Sequence, residues 1–249
     1  MILECDVGNS FLKWRVLDGT GASLECGVLD YSQGFDALSP KVSFSRARVV
    51  SVAGADIDGL LVGFLRNAFS VEAVIASSSE FCAGVTNGYD SADALGVDRW
   101  SAIVAAWNWR RGPVCVIDAG TALTIDLVAE QGQHLGGIIV PGLHLMRAAL
   151  DRDTSDIGGF VRDHDGANNA AGWLGRDTRS AVDQGVVFML RATIDKAVAE
   201  MAAAGVAADV LITGGDAEIL APLLAAATEH RPLLVLEGLR YLTAANSDA

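Results

Sequence analysis

Two short acidic turns contain the residue types that phosphate chemistry requires. The first is Asp6-Val7-Gly8-Asn9-Ser10 and the second is Asp118-Ala119-Gly120-Thr121. Each follows a short apolar run, so each aspartate is expected at the end of a strand. Backbone N–H groups in such a turn can bind phosphate oxygens, and the carboxylate can reach a metal ion or its waters. Taken singly, either turn is more typical of an ordinary hairpin.

Two copies of one turn at equivalent points of a duplicated fold favour phosphate binding over an ordinary hairpin more than a single copy does. Lys13, on the strand after the first turn, can add a positive charge near a terminal phosphate. The Thr121 hydroxyl in the second turn can bond a phosphate oxygen. If the two turns face each other across a cleft, they can hold both ends of a polyphosphate.

A third candidate is Gly96-Val97-Asp98-Arg99, where a helix is expected to begin. Asp98 has two interpretations that spacing alone leaves equally weighted. It is a good helix N-cap. It can also be a general base that removes a proton from a substrate hydroxyl, with Arg99 binding a carboxylate.

The remaining motifs point less clearly to chemistry. Gly214-Gly215-Asp216 follows an apolar strand, and it can let an adenine approach the backbone or simply connect to the next helix. The sequence contains no P-loop motif, no Gly-x-Gly-x-x-Gly after the first strand and no Gly-x-Ser-x-Gly. The enzyme classes that these motifs mark therefore gain no support. The histidines are too scattered to predict a metal site: His134, His144, His164 and His230.

The elements that must position these motifs repeat along the chain. Strands are predicted at residues 2–6, 12–16 and 23–29, and the same order of strand, Asp-x-Gly turn, strand, Gly turn and strand returns after Gly112-Pro113. A shift of 112 residues carries Asp6 onto Asp118 and Gly8 onto Gly120. The repeat predicts two halves of similar topology, residues 1–112 and 113–249.

The rest of the pattern alternates helices with strands and predicts an α/β fold. Further strands are expected at residues 48–52, 73–76, 209–213 and 233–236. Helices are expected at residues 58–69, 98–111, 142–150, 177–204 and 217–227.

Composition narrows the class of protein. The chain has 249 residues, 51% of them hydrophobic, which is enough apolar material for a sizeable core. Its formal charge of −13 argues against nucleic-acid binding and against an anionic membrane surface. Neither a membrane span nor a signal peptide is expected, and four scattered cysteines favour a cytoplasmic protein with reduced thiols.

Several motifs together resemble type III pantothenate kinases. They are Asp6-Val7-Gly8-Asn9-Ser10 with Lys13-Trp14, Leu95-Gly96-Val97-Asp98-Arg99, Ile117-Asp118-Ala119-Gly120-Thr121-Ala122, Gly136-Gly137-Ile138-Ile139-Val140 before Pro141-Gly142, and Gly175-Arg176-Asp177-Thr178. The resemblance keeps their order over essentially the whole chain. It implies the acetate kinase/hsp70/actin class, in which two duplicated ribonuclease-H-like halves enclose an interdomain cleft.

The resemblance also implies an activity and its requirements. The family phosphorylates the 4′-hydroxyl of pantothenate with ATP, the first step towards coenzyme A. The resemblance further implies that the protein requires Mg²⁺ and a monovalent cation (K⁺ or NH₄⁺) and that it forms a homodimer. ATP-binding residues would be Asp6, Val7, Gly8, Asn9, Ser10, Phe11, Leu12, Lys13 and Thr121. Asp118 would bind the monovalent cation.

The implied pantothenate-binding residues are Tyr89, Gly96, Val97, Asp98, Arg99 and Thr178, with Asp98 as the base. Ser10 and Asp177 depart from the family, which usually has Thr and often Asn there. Ser10 keeps the hydroxyl for phosphate contact, and Asp177 changes only local hydrogen bonding.

Two alternatives stay open at this point. Another phosphotransferase of the same fold could act on a sugar, acetate or polyphosphate. A protein without turnover, serving as an accessory factor in transcription, would not need the full set Asp6, Asp98, Arg99, Asp118 and Thr121.

Overall fold

The computed structural model describes residues 1–32, 34–153 and 173–244, which form two compact units. Unit 1 contains Met1–Arg111, Gln131–His134 and the segment from Leu233 onward. Unit 2 contains Gly112–Glu130 and Leu135–Pro232, apart from the undescribed residues. The predicted division into residues 1–112 and 113–249 therefore differs from the compact units in two segments.

Unit 1 is built on a five-stranded sheet. Its strands are β1 (Ile2–Val7), β2 (Leu12–Leu17), β3 (Ser23–Leu29), β4 (Arg46–Ser51) and β5 (Ala73–Ile75), in the order β3-β2-β1-β4-β5. The first three strands are antiparallel neighbours, whereas β4 and β5 are parallel. Helix α1 (Ala55–Phe69) connects β4 to β5, and a two-stranded hairpin of β6 (Phe81–Cys82) and β7 (Val85–Thr86) precedes helix α2 (Val97–Arg110).

Unit 2 repeats this plan. Its sheet has the order β10-β9-β8-β11-β12, with β8 (Val114–Ala119), β9 (Ala122–Val128), β10 (His134–Pro141), β11 (Asp209–Thr213) and β12 (Thr228–His230). Helices α3 (Leu143–Asp153) and α4 (Thr178–Ala203) come before β11, and the short helix α5 (Ala217–Leu220) follows it. Helix α6 (Leu234–Leu242), the last element of the chain that the structure describes, belongs to unit 1. The predicted duplication of strand order is confirmed.

Alternation of side chains gives the first strand of each sheet two different faces. In β1, Leu3, Cys5 and Val7 are fully buried in one apolar cluster. Glu4 and Asp6 point to the opposite face because successive residues of a strand alternate. Cys115, Ile117 and Ala119 likewise enter a core in unit 2, which puts Asp118 on the opposite face of β8. Each candidate aspartate is thus kept out of the apolar core.

A buried ion cluster fixes the strand that carries Asp6. Glu4 is fully buried and accepts from Arg15 Nε at 2.7 Å, while Arg48 Nη1 lies 3.3 Å from its other oxygen. These residues are register partners on β1, β2 and β4. Removing one partner of a buried ion pair leaves an uncompensated charge, so the cluster resists displacement of these strands.

The C-terminal segment corrects one prediction. Residues 233–236 were expected to form the last strand, but they begin α6, and the last strand is β12. The predicted helix 217–227 is also shorter, since α5 ends at Leu220 and a 3₁₀ turn follows. A run of four apolar residues does not distinguish helix from strand, and here packing decides. Gly238 of α6 lies against Ser101 of α2, whose hydroxyl donates to the Val235 carbonyl at 2.7 Å.

Other predicted helices are confirmed to within a few residues. Helix α4 begins after Asp177, whose side chain accepts from the Ser180 N–H at 2.8 Å in a capping box, and Gly205 with φ +79° follows its end. None of the helices in the described part of the chain is long and apolar enough to cross a membrane.

Candidate active site

The first acidic turn is a four-residue connection between β1 and β2. The Gly8 N–H donates to the Phe11 carbonyl at 3.0 Å, and the Tyr31 hydroxyl donates to the Gly8 carbonyl. Asn9 and Ser10 are exposed, so their polar groups are available to a ligand. Asp6 precedes the turn, and its cross-strand partner is Lys13. The turn thus combines exposed hydrogen-bonding groups with a neighbouring acidic and basic pair.

The second acidic turn is tighter and more constrained. Only Gly120 and Thr121 separate β8 from β9, and the Gly120 N–H donates to the Ala122 carbonyl at 3.1 Å. The Thr121 carbonyl accepts from the Gly142 N–H at 3.0 Å. Thr121 itself is exposed, so its hydroxyl is available to a ligand.

Two glycines permit close backbone contact with this second turn. A Cβ on Gly142 would lie 2.3 Å from the Gly120 carbonyl oxygen, and one on Gly214 would lie 2.4 Å from Ala119 backbone atoms. Gly214 also has φ +97°, which disfavours other residues. The Gly214-Gly215 motif therefore lies directly against the β8 end that carries Asp118.

Asp216, next along the chain, is a buried acid beside the same turn. Its N–H donates to the Ala119 carbonyl at 2.9 Å, and its carboxylate lies 3.5 Å from His144 Nε2. Burial raises the pKa of Asp216, while the charges of His144 and Arg147 act in the opposite direction. The Gly214-Gly215-Asp216 motif thus places a carboxyl group beside this turn, a role that its sequence did not indicate.

Asp98 is not the N-cap of helix α2. Gly96 occupies that position, and Asp98 is the second helical residue. Its Oδ1 accepts from the Arg99 N–H at 2.7 Å, so the carboxylate satisfies one of the unpaired N–H groups of the first turn. A Cβ on Gly96 would lie 2.8 Å from Asp98 Oδ1, so the carboxylate lies close to the backbone of the N-cap residue.

Arg99 and Tyr89 form a buried polar contact beside Asp98. Arg99 is 7% exposed, its Nη1 donates to the Tyr89 hydroxyl at 2.8 Å, and its guanidinium lies 5.5 Å from the centre of the Tyr89 ring. A guanidinium provides a planar fork of donors suited to a carboxylate. The structure therefore brings Tyr89, Gly96, Val97, Asp98 and Arg99 together at the start of α2.

The loop that carries Tyr89 is held by its own polar contacts. Asn87 is buried, and its amide donates to the carbonyls of Ser79 and Ala92, each at 3.2 Å. Its Oδ1 accepts from the Tyr89 N–H at 3.0 Å. The ordering of this loop fixes the backbone at Tyr89.

The other predicted site residues are divided between the two units. Asp118 and Thr121 are in the second turn, whereas Thr178 is the exposed first residue of α4. Asp6 and Lys13 are on the sheet of unit 1.

One residue at the site was missed by sequence reasoning. His134 is fully buried at the start of β10, and its ring stacks on Tyr89 with centres 6.0 Å apart. The Gly88 N–H donates to His134 Nδ1 at 3.3 Å. No spacing pattern marks His134, because its partners are 46 and 45 residues earlier in the chain. Only the fold connects them.

Within the described residues, no group of three or more His, Cys, Asp or Glu side chains is arranged to hold a metal ion. Each of the two acidic motifs contains one carboxylate, Asp6 in the first and Asp118 in the second. Oxygen ligands of this kind suit Mg²⁺ and alkali cations, which in phosphate sites keep several waters and substrate oxygens as ligands. The chemistry of these residues fits that kind of binding.

Comparison with known proteins identifies the family. The type III pantothenate kinase family matches residues 2–200. The chain is 41% identical over 228 residues to the type III pantothenate kinase of Pseudomonas fluorescens (strain Pf0-1), covering 88% of this chain and 90% of that protein. It is 40% identical over 248 residues to that of Pseudomonas aeruginosa (strain LESB58), covering 96% and 97%.

Solved structures share the fold at lower identity. A conserved putative Baf family transcriptional activator from Campylobacter jejuni is similar with a TM-score of 0.58 and 21% identity, over 99% of this chain and 100% of that one. A putative 2-dehydro-3-deoxygalactonokinase from Sinorhizobium meliloti gives 0.59 and 14%, over 100% and 96%. The predicted acetate kinase/hsp70/actin fold class is confirmed. Together with the family match, these findings make this chain a member of the type III pantothenate kinase family.

Proposed function

We propose that the protein transfers the γ-phosphoryl group of ATP to the 4′-hydroxyl of pantothenate, the first step of coenzyme A biosynthesis. The observation that carries this proposal is the contact of buried Arg99 with Tyr89, directly beside Asp98. Pantothenate has a carboxylate and a primary hydroxyl, and this pair of features needs a cationic fork and a base. The relatives' names, type III pantothenate kinase, support the same substrate.

Asp98 acts as the general base in this proposal. It orients the hydroxyl and accepts its proton as the oxygen attacks the γ-phosphorus. Arg99 binds the pantothenate carboxylate through its guanidinium, and the Tyr89 hydroxyl fixes the plane of that guanidinium. Gly96 and Val97 contribute backbone contacts, and Thr178 contributes a hydroxyl contact.

The nucleotide is bound by the acidic turns. Exposed polar groups of the first turn bind phosphate oxygens, and Lys13 supplies positive charge next to Asp6. The proposed ATP-binding set is Asp6, Val7, Gly8, Asn9, Ser10, Phe11, Leu12, Lys13 and Thr121. Phosphoryl transfer requires mainly positioning and charge stabilisation, which these groups supply.

Cations complete the proposed site. Asp6 and Asp118 are the residues that would hold them, with Asp118 assigned to the monovalent cation, K⁺ or NH₄⁺. Mg²⁺ and the monovalent cation supply charge neutralisation on the phosphates. The cross-strand partner of Asp118 is Thr124, whereas that of Asp6 is Lys13.

We further propose a cytoplasmic homodimer. Unit 2 exposes large apolar side chains near Thr178, where Trp173 and Phe188 are 67% and 54% exposed and their rings contact each other at 6.0 Å. Leu174 and Met189 are exposed beside them in sequence. Such a patch favours burial against a second copy. Four free cysteines support a reducing compartment.

The direct test is ATP-dependent phosphorylation of pantothenate with Mg²⁺, with and without K⁺. Asp98→Asn should lower kcat by about 10²–10⁴-fold, the usual contribution of a positioned base. Asp56→Asn is the matched control, because Asp56 is the second residue of α1, as Asp98 is of α2, and it too follows an N-cap glycine. The control should retain wild-type activity.

Two results would contradict this assignment. Full activity in Asp98→Asn would remove Asp98 as the base and leave it as a helix-stabilising carboxylate. A folded wild type that binds ATP without phosphorylating pantothenate would direct the search to another acceptor.

Analytical ultracentrifugation tests the dimer, and Phe188→Glu should shift it towards monomer.

A further inference from the structure

We infer that His134 is a positioning residue that holds Tyr89 for recognition of the substrate carboxylate. This inference rests on the proposed function, since it concerns the same site. It adds a residue from the start of β10 to a site that otherwise comes from the Tyr89 loop and α2.

The imidazole of His134 has a defined orientation. His134 is fully buried, and its Nδ1 accepts the Gly88 N–H at 3.3 Å. An Nδ1 that accepts must carry a lone pair, so the neutral ring has its proton on Nε2. One hydrogen bond thus fixes both the ring plane and the tautomer, and its donor is the residue immediately before Tyr89.

The His134 ring also contacts the Tyr89 ring. The two rings are nearly parallel, with an angle of 16° and a centre separation of 6.0 Å. Because aromatic pairs of this geometry attract, the stack favours one orientation of the Tyr89 side chain. The hydroxyl at the far end of that side chain accepts from Arg99 Nη1 at 2.8 Å. His134, Tyr89 and Arg99 therefore form a continuous series of contacts that ends beside Asp98.

The backbone that precedes His134 packs closely against the hairpin of β6 and β7. Gly132 has φ +79°, and a Cβ there would lie 1.9 Å from the Gly84 carbonyl oxygen. Gln133 also forms a bridge with Thr86 of β7. The segment Gln131–His134 is thus fixed to the loop that continues to Tyr89, within unit 1. A residue held this firmly can set the position of its neighbour.

Two substitutions separate the contributions of His134. His134→Phe keeps an aromatic ring but loses the acceptor for Gly88. His134→Asn keeps an acceptor near the Nδ1 position but loses the ring. Each should raise KM for pantothenate about tenfold while kcat and KM for ATP stay within about twofold, because carboxylate binding is misaligned without loss of the base. His230→Asn, on β12 of unit 2, is the matched control and should leave all three values unchanged.

A purely structural role is tested by coupling to Tyr89. In a Tyr89→Ala background, His134→Asn should change KM for pantothenate less than about twofold, since the residue through which it acts is absent. Additive effects in the double variant would overturn the inference. Unchanged KM for pantothenate in both single variants would overturn it as well. So would a parallel rise of both KM values with a lowered Tm.

A second readout does not depend on turnover. Uniform 3-fluorotyrosine labels three positions, Tyr31, Tyr89 and Tyr241. The ¹⁹F resonance of Tyr89, assigned with Tyr89→Phe, should move in both His134 variants while the other two stay fixed. A stationary Tyr89 resonance contradicts the inference. If the wild type fails to phosphorylate pantothenate, the proposed function fails, and this signal still decides whether His134 positions Tyr89.

Discussion

The two acidic turns have the same origin in the fold but different surroundings. Each follows the first strand of a five-stranded sheet, and each is preceded by an aspartate on the face opposite to the apolar core. The first has four connecting residues, of which Asn9, Ser10 and Phe11 are exposed, whereas the second has two and lies against Gly142 and Gly214. Duplication therefore preserved the strand frame while loop length and neighbours diverged.

The difference is also electrostatic. The cross-strand partner of Asp6 is a lysine, and that of Asp118 is a threonine. Opposite charges across a strand pair partly neutralise each other, so the first turn presents a balanced pair. At the second turn, the cross-strand position adds no positive charge to offset Asp118. We therefore expect one turn to bind phosphate directly and the other to act through a cation.

Substitution of the two aspartates tests this contrast. Asp6→Asn and Asp118→Asn should each lower kcat by about 100-fold, as removal of one electrostatic group in an active site usually does. Steady-state rates at increasing K⁺ measure the difference. Asp118→Asn should lose the response to K⁺, whereas Asp6→Asn should keep it. Identical K⁺ responses in both variants would contradict separate roles, and circular dichroism checks that both remain folded.

The constraint around the second turn predicts an unequal response to added methyl groups. Gly214→Ala combines a positive φ with a 2.4 Å clash against the Ala119 backbone, so it should cost about 3 kcal/mol of unfolding free energy. Gly8→Ala meets only the Phe11 carbonyl oxygen at 3.5 Å and should cost no more than about 1 kcal/mol. Thermal unfolding followed by circular dichroism compares them. Equal losses would show that the turns are equally constrained.

The pH dependence of stability reports on Asp216 beside the second turn. Burial raises its pKa, so the folded state holds this proton more tightly than the unfolded state. Its stabilising contribution is therefore complete below the unfolded pKa and is lost as pH rises through the raised folded pKa. Asp216→Asn does not titrate, so its stability relative to wild type should increase from pH 4 to pH 7 in urea unfolding.

Asp177 provides a control of opposite sign in the same unit. The Ser180 N–H hydrogen bond lowers the pKa of Asp177, so its contribution is present above the unfolded pKa and is lost as pH falls through the lowered folded value. Asp177→Asn should therefore lose relative stability as pH rises. If both variants change in the same direction, burial is not the cause at Asp216.

Cysteine labelling compares the two units without altering the chain, and the expected difference between them is the smallest of those predicted. Cys5 in β1 and Cys115 in β8 are fully buried, and burial raises the pKa of both thiols, that of Cys115 to about 12. Neither should react with a thiol reagent at pH 8 in the native state, whereas exposed Cys26 should react at once. Mass spectrometry in increasing urea identifies which buried thiol becomes reactive first. Rapid native labelling of either would contradict the buried environment of that strand.

Much of the fold follows from periodicity alone. Apolar alternation and the Asp-x-Gly spacing predict β1, β2, β8 and β9 and their repetition, because these signals are local. The same reasoning predicts a strand at residues 233–236, which is wrong. Their helical conformation depends on contact with α2, more than a hundred residues earlier in the chain. Local pattern cannot supply a partner that distant.

The residues of the candidate site also fall into those that a local sequence pattern suggests and those that only the fold brings together. Asp98 and Arg99 stand next to a glycine at a helix start, so sequence alone suggests them. His134 has no such pattern, and its connection to Tyr89 exists only after β10 and the Tyr89 loop are folded together. Asp98 is the second helical residue rather than the N-cap because the helix begins two residues earlier than an Asp98 cap requires, a difference that composition does not determine.

The packing of α6 on α2 has a consequence for how the chain folds during its translation. Helix α6 contributes buried Leu234, Leu236 and Leu239 to unit 1, although it is translated after all of unit 2. On the ribosome, the helix that carries Asp98 therefore lacks its neighbour until the second sheet has emerged. Because domains ordinarily fold in the order of their synthesis, this arrangement delays completion of the earlier unit. A nascent chain arrested before Leu234 lacks the packing of α6 on α2, the helix that carries Asp98.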